Sequence, residues 1–400
     1  MELNRREFLG TTAALGLAAG ARAAAPDDDP LGVRADFPVA RDGIYLNSAY
    51  MTPIPLSVAD AASEFIQSKA RKPISLDRML AKTDEVRAQF ARLFGAGTEE
   101  VAFLFSTSEG ENVVSRALDL KTGENVVVDD LHYNTSYALY KHLEKERGVE
   151  LRVARRREGA AGPDAFQPLV DRKTRLVSVA WVSHQNGYRH DLKALADLAH
   201  ARGAYLYADG VQALGMFPAD LRALGVDFVT SGTYKWLLAG YGVAPFYVRR
   251  ELLDRIPADR HGALNIERDL GNYQYEVFKT AKKYEYSTLA FGAVYQLGAA
   301  LSYIERVGLE RIETHSVALA HELRRGLLEK GFTVLTPEGN RSSIVAFVNP
   351  KPQADAARLL ESARIQVSFR EKGTQIRVAT ALFNNRADVR SFLDIAAKLA

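Results

Sequence analysis

Cysteine is absent from all 400 residues. Disulfides, thiolate metal sites and cysteine nucleophiles are therefore excluded. Histidine occurs eight times, but no HExxH or comparable paired spacing appears, which argues against a structural or hydrolytic metal site. A dominant charge is also missing: 52 basic and 49 acidic residues leave a formal net charge of +3. No polyanion partner follows from that balance. The densest basic run, Arg155-Arg156-Arg157, sits between the strand-like VELRV and the loop EGAAGPD and reads as a solvated strand end. No GxSxG elbow is present, which argues against an α/β hydrolase.

The chain opens MELNRREFLGTTAALGLAAGARAAAPDDDP. Arg5-Arg6, then Phe8-Leu9, a short apolar run and small residues at 21–25 have the layout of a cleavable export signal. The paired arginines point to the twin-arginine (Tat) route. The run is too short to span a bilayer. Residues 1–25 are thus expected to be a signal, with a mature protein in the periplasm or beyond, and 26–44 an arm.

From about residue 75, apolar segments alternate with amphipathic ones. EVAFLF, ENVVVDD, TRLVSVAWV, AYLYADG, DFVTSG and VAPFYV read as strands. Segments 75–94, 109–120, 133–148 and 192–203 read as helices. Continuous β-branched and apolar strands between helices predict an α/β fold with a mostly parallel sheet covered on both faces. Two long helices at 291–307 and 309–330 precede an α+β stretch. The expected units are therefore 45–290 and a smaller one over 291–400, with 279–283 as a linker-like segment.

Ligands of open α/β sheets bind beyond the carboxyl ends of the strands. Successive strands are followed by Ser106-Thr107-Ser108-Glu109-Gly110, by His132, by Ser183-His184, by Asp209-Gly210-Val211-Gln212 and by Thr233-Tyr234-Lys235. Hydroxyls at a helix N-terminus suit a phosphate. A lone acid and a lone lysine near a core need a partner or a task. Pyridoxal 5'-phosphate asks for this set: a lysine for a Schiff base, a carboxylate for the pyridine nitrogen, a ring to stack on and an anion site.

The order STSEG, His132, ADGVQ, GTYKW resembles the aminotransferase class V family of fold-type I pyridoxal-phosphate enzymes, which includes cysteine desulfurases, kynureninases and isopenicillin N epimerase-like proteins. YLNSAYMTPIP (45–55) and IRVATALFNN (376–385) extend the resemblance across 40–400. It implies a seven-stranded sheet, a Schiff base on Lys235, 26 residues after Asp209, and phosphate ligands Thr107 and Ser108. It further implies His132 stacked on the ring and assisting proton transfer, and His184 and Gln212 near the phenolic oxygen. Arg377 and Asn47 become substrate contacts, Arg370 an alternative clamp, and Thr288 reaches a partner's phosphate in a homodimer. Where many members have Ser-x-His-Lys, this chain has Gly232-Thr233-Tyr234-Lys235, so Ser231, Thr233 and Tyr234 all remain candidates for the phosphate contact. His184 replaces a usual asparagine.

The expected activity is on the amino group or Cα of an amino-acid or peptidyl amine substrate, by aminotransferase, epimerase or lyase chemistry. The missing active-site cysteine loop is read as excluding a desulfurase that forms a persulfide on its own thiol. The alternative reading is a pyridoxal-phosphate sensor or scavenger without turnover.

Overall fold

The computed structural model describes residues 29–399, so the expected export signal lies outside the described residues. Seven strands form the central sheet: β1 (Val101–Leu104), β2 (Asn125–Asp129), β3 (Glu150–Ala154), β4 (Thr174–Ala180), β5 (Tyr205–Asp209), β6 (Phe228–Thr230) and β7 (Ala244–Val248). Their order is β1-β7-β6-β5-β4-β2-β3, and only β7 runs against its neighbours. The expected mostly parallel sheet of seven strands is present. Alternation along each strand serves two cores. Val126, Val128, Tyr207 and Phe246 face one apolar layer, while Val127, Leu206, Ala208 and Tyr247 face the other. Both faces are buried, which is why the strands read as unbroken apolar runs.

Helix α1 (Thr107–Ala117) follows β1 directly. It starts two residues before the expected helix, which puts Thr107 and Ser108 in its first turn. Ser106 caps it, accepting from the Glu109 amide at 3.2 Å, which leaves the Thr107 and Ser108 amides at the helix start for an anion. Gly110 lets this helix lie on β6. A Cβ there would sit 2.0 Å from Thr230 Oγ1 and 2.8 Å from Thr230 Cβ.

The helices Phe291–Val307 and Leu309–Glu329 match the two long ones expected. The first lies against earlier helices, with Tyr295 on Phe65 at 4.9 Å and Gln89 bonded to Ser302. Leu309–Glu329 joins a three-stranded antiparallel sheet, β10 (Ile344–Val348), β12 (Gln375–Ala379) and β11 (Ser368–Arg370), in a third core. Ile44 and Tyr45 pair with Ile365 and Gln366. The early segment that carries Asn47 is thereby bound to the C-terminal part.

The linker-like segment 279–283 packs into the fold, and the residues before it form a hairpin the sequence reading did not expect. Strands β8 (Ile266–Gly271) and β9 (Gln274–Val277) form an exposed hairpin. Lys283 is buried and donates to the carbonyls of Leu253 and Ile256. Glu285 is buried too, bonded to Arg87 at 2.6 Å and to the Phe103 amide at 2.6 Å. Removing one partner of such a pair strands a buried charge, so this segment fastens β1 in place.

Gly110→Ala should lower stability by about 1–3 kcal/mol, the usual cost of overpacking. Thr230→Ala in the same chain should recover part of the loss. Denaturant unfolding of the two single variants and the double variant reads this; a Gly110→Ala midpoint equal to wild type would refute the contact.

Candidate active site

The sheet's register brings the acid and the lysine together. Asp209 pairs with Thr230 across β5 and β6, and the Gly210 amide donates to the Thr230 carbonyl at 2.8 Å. The chain then turns back over the strand ends through Thr233-Tyr234-Lys235. A cleft opens there, lined by Thr107, Ser108, Glu111, Tyr133, His184, Asp209, Gln212, Tyr234 and Lys235 among others. Seven of the expected residues therefore share one cavity: Thr107, Ser108, His184, Asp209, Gln212, Tyr234 and Lys235.

Lys235 is 8% exposed and makes no hydrogen bond or ion pair with a described residue; its Nζ lies 5.5 Å from the Tyr234 ring centre. Burial, then Arg377 and Arg370, pull its pKa down to about 8 against the opposing pull of Asp209. Asp209 is 6% exposed and spends one oxygen on the Val211 amide at 2.9 Å. Its carboxyl is pushed up, chiefly by burial.

Arg377 on β12 is 3% exposed. It donates to the His184 carbonyl at 2.6 Å and to Ser368 Oγ at 3.2 Å, and its Nε has no partner. Burial and Arg370 bring it down to about 9. Neither arginine makes an ion pair among the described residues. His184 is pushed down to about 2 by burial and the same two arginines, and so stays neutral with Nδ1 unpartnered. Asn47 accepts from Ser368 Oγ and reaches Arg377 only through that hydroxyl; it does not line the cleft.

His132, expected to stack on the cofactor ring, is fully buried and is not among the residues lining the cleft. Its Nδ1 accepts from the Tyr133 amide at 2.7 Å, and its Nε2 donates to Ser178 Oγ at 3.0 Å, which in turn donates to Glu111 at 2.7 Å. The rings that line the cleft are Tyr133, His184 and Tyr234, the first two in edge contact at 5.0 Å. Of the three candidates for the phosphate contact only Tyr234 lines it, because the Ser231 and Thr233 hydroxyls bond backbone carbonyls. Gln212 has its amide committed to the Ala49 carbonyl and the Trp236 indole, leaving one N–H. Thr288 is exposed in a separate cleft.

Glu111 was missed. It lies one helical turn after Thr107 and Ser108, on their face of α1, and takes hydroxyl donors from Ser136 and Ser178 at 2.7 Å each. Its spacing from Thr107 was the available signal.

The aminotransferase class-V family pattern matches residues 44–393. A Methanothermobacter thermautotrophicus protein named "Probable cysteine desulfurase" is 28% identical over 382 residues, 90% of this chain and 95% of that one. A Klebsiella pneumoniae cysteine desulfurase is 30% identical over 333 residues, covering 79% and 81%. The apo cysteine desulfurase structure from Thermococcus onnurineus superposes with a TM-score of 0.84 at 24% identity, over 93% of this chain and 98% of that one.

These relatives overturn the exclusion of cysteine desulfurases. A chain without cysteine has no thiol to carry sulfur, but breaking a substrate's carbon–sulfur bond requires proton transfers at Cα, and no protein thiol enters that step. The cofactor is pyridoxal 5'-phosphate, and the residues fit it: an unpaired buried amine, a buried acid with a free oxygen, and a capped helix N-terminus with hydroxyls.

Covalent capture of the cofactor needs the neutral amine of Lys235. Below its pKa of about 8 the amine is protonated, so the rate of colour formation on adding pyridoxal phosphate to cofactor-free protein should climb with pH and level off above that value. Arg377→Ala removes a positive neighbour, so the amine keeps its proton to higher pH and the profile moves up. A flat profile between about pH 6 and 9 would contradict the assignment.

Proposed function

Because the chain belongs to the aminotransferase class-V family, we propose that it breaks the carbon–sulfur bond of a cysteine-type amino acid and lets the sulfur leave on a small molecule. The observation that carries this reading is the pairing of desulfurase-named relatives along most of the chain with the complete lack of cysteine in it. Pyridoxal phosphate, when bound, supplies an electron sink for the substrate's Cα.

The chain's own residues do the rest. Arg377, buried and unpaired with any carboxylate, binds the substrate carboxylate, and Ser368 and Asn47 hold its guanidinium in place. Lys235 takes the Cα proton at Nζ; a pKa near 8 lets it both accept and return a proton near neutrality. Asp209 offers its free oxygen to a cationic N–H. The C–S electrons leave with the sulfur, and the three-carbon remainder takes up water to give pyruvate and ammonium. No reductant is consumed.

Holoprotein given L-cysteine or a cysteine thioether should release one thiol (or sulfide) per pyruvate without added reductant. Lys235→Ala should lower that rate at least about a hundredfold, and Arg377→Ala should weaken substrate engagement roughly tenfold to a hundredfold. If no sulfur compound is released from any cysteine-type substrate, the reading is wrong.

Export and assembly are proposals of the same kind. The Arg5-Arg6-x-Phe8-Leu9 pattern supports passage of the folded, cofactor-loaded protein to the periplasm, since the cofactor is charged and made inside the cell. A homodimer is supported by Thr288, which is exposed away from its own chain's cleft; sedimentation of active holoprotein as a monomer would remove it. Replacing Arg5 and Arg6 with lysine should leave the yellow protein in the cytoplasm, and normal processing of that variant would refute the signal.

A further inference from the structure

We infer that the mouth of this cleft selects a planar aromatic group on the substrate's side chain, so that the amino acid it takes is an S-aryl cysteine in preference to free cysteine. This rests on the proposed carbon–sulfur cleavage for its chemistry, while the selection itself rests on the tyrosines around the opening.

Tyr133 and Tyr234 line the cleft. Tyr234 stacks on Tyr241 with ring centres 4.5 Å apart and planes 18° apart, and Tyr133 stands edge-on to His184. Beyond them Tyr50 and Tyr241 are 60% and 59% exposed, and Tyr133 is 43% exposed. Burial, and after it Tyr241 and Tyr50, push the Tyr45 hydroxyl up to about 12. Large aromatic side chains clustered in water mark a surface with a task, whereas scattered ones need no explanation. Aromatic faces and edges accept a further ring in offset or edge-on geometry.

Their place relative to the chemistry says which part of the substrate meets them. Lys235 Nζ lies 5.5 Å from the Tyr234 ring centre, and Arg377, 3% exposed, is bonded to the carbonyl of the cleft-lining His184. With Cα at Lys235 and the carboxylate at Arg377, the group left to meet the tyrosines is the substituent on Cβ. A bare thiol is too small to cover them.

The elimination balances for such a substrate. Lys235 takes the Cα proton, the Cβ–S bond breaks with both electrons on sulfur, and the arenethiolate leaves and is protonated by solvent. Water converts the remaining aminoacrylate to pyruvate and ammonium. An arenethiolate is a good leaving group and needs no acceptor, which suits a chain without a thiol.

The test titrates holoprotein with S-phenyl-L-cysteine and S-methyl-L-cysteine, reading binding from the visible spectrum and cleavage from thiol and pyruvate. S-phenyl-L-cysteine should bind about tenfold tighter or more, and Tyr241→Ala and Tyr133→Ala should each shrink that preference roughly three- to tenfold. Tyr133→Phe should keep it. Equal binding of the two compounds, as would follow if a second copy of the chain covered these rings, overturns the inference, and so does an aryl preference untouched in both alanine variants. Aryl preference in binding without thiol release supports the mouth and overturns the cleavage proposal instead.

Discussion

The parallel pairing of β5 with β6 is the constraint on which the site depends. Asp209 stands opposite Thr230, and Lys235 follows five residues later at the end of a turn held by the Ser231 amide on Pro245 of β7, the Gly232 amide on the Thr107 hydroxyl and the Thr233 hydroxyl on the Gly240 carbonyl. Side chains alternate faces along a strand, so a slip of one residue would send Asp209 to the other layer. The two apolar layers make that slip costly, since Leu206 and Ala208 would exchange places with Tyr207. The acid is thus placed by packing far from the chemistry. Gly110 adds the third coordinate, because only a residue without Cβ lets α1 approach Thr230 and bring its N-terminus to the same opening.

Charge is distributed unevenly around this frame. Lys235, Arg370 and Arg377 lie near enough to act on one another and make no ion pair among the described residues, while Glu111 and Asp209 line the cleft with Lys235. Desolvation is the largest influence on Lys235, Arg377 and Asp209 alike, and it disfavours the charged form of each. A ligand carrying anionic groups and a cationic ring N–H reverses those penalties at several points together. The fit of the cofactor is therefore electrostatic as well as steric, and the protein is arranged to be completed by it.

What could be read from the sequence was what local pattern determines. The strands and their carboxyl ends were legible because both faces of the sheet are buried, and Thr107, Asp209 and Lys235 followed from their places after those strands. Strand order was not legible, since β7 returns between β1 and β6 through contacts distant in sequence. The hairpin β8–β9 escaped notice because its residues are largely exposed and polar, with no apolar alternation; its turn residues Asn272 and Tyr273, both at positive φ, were the only cue. His132 lay where a ring was wanted, but side-chain direction is decided by partners. Ser178 and the Tyr133 amide hold it, and it does not line the cleft.

The tyrosines illustrate a different limit. Tyr45 and Tyr50 flank Asn47, Tyr133 follows His132, and Tyr241 comes six residues after Lys235, so each sits beside a residue singled out for other reasons. Read singly, each is an ordinary aromatic near a strand end. Only the fold collects segments about 45, 133 and 240 residues along the chain around one opening. The same reasoning separates what the missing cysteine does and does not decide. It removes a sulfur carrier from the chain, a covalent fact that holds in any conformation. It leaves open whether a carbon–sulfur bond is broken, because that depends on where Lys235 and Arg377 stand relative to the substrate, and those positions come from the sheet register and the buried arginine.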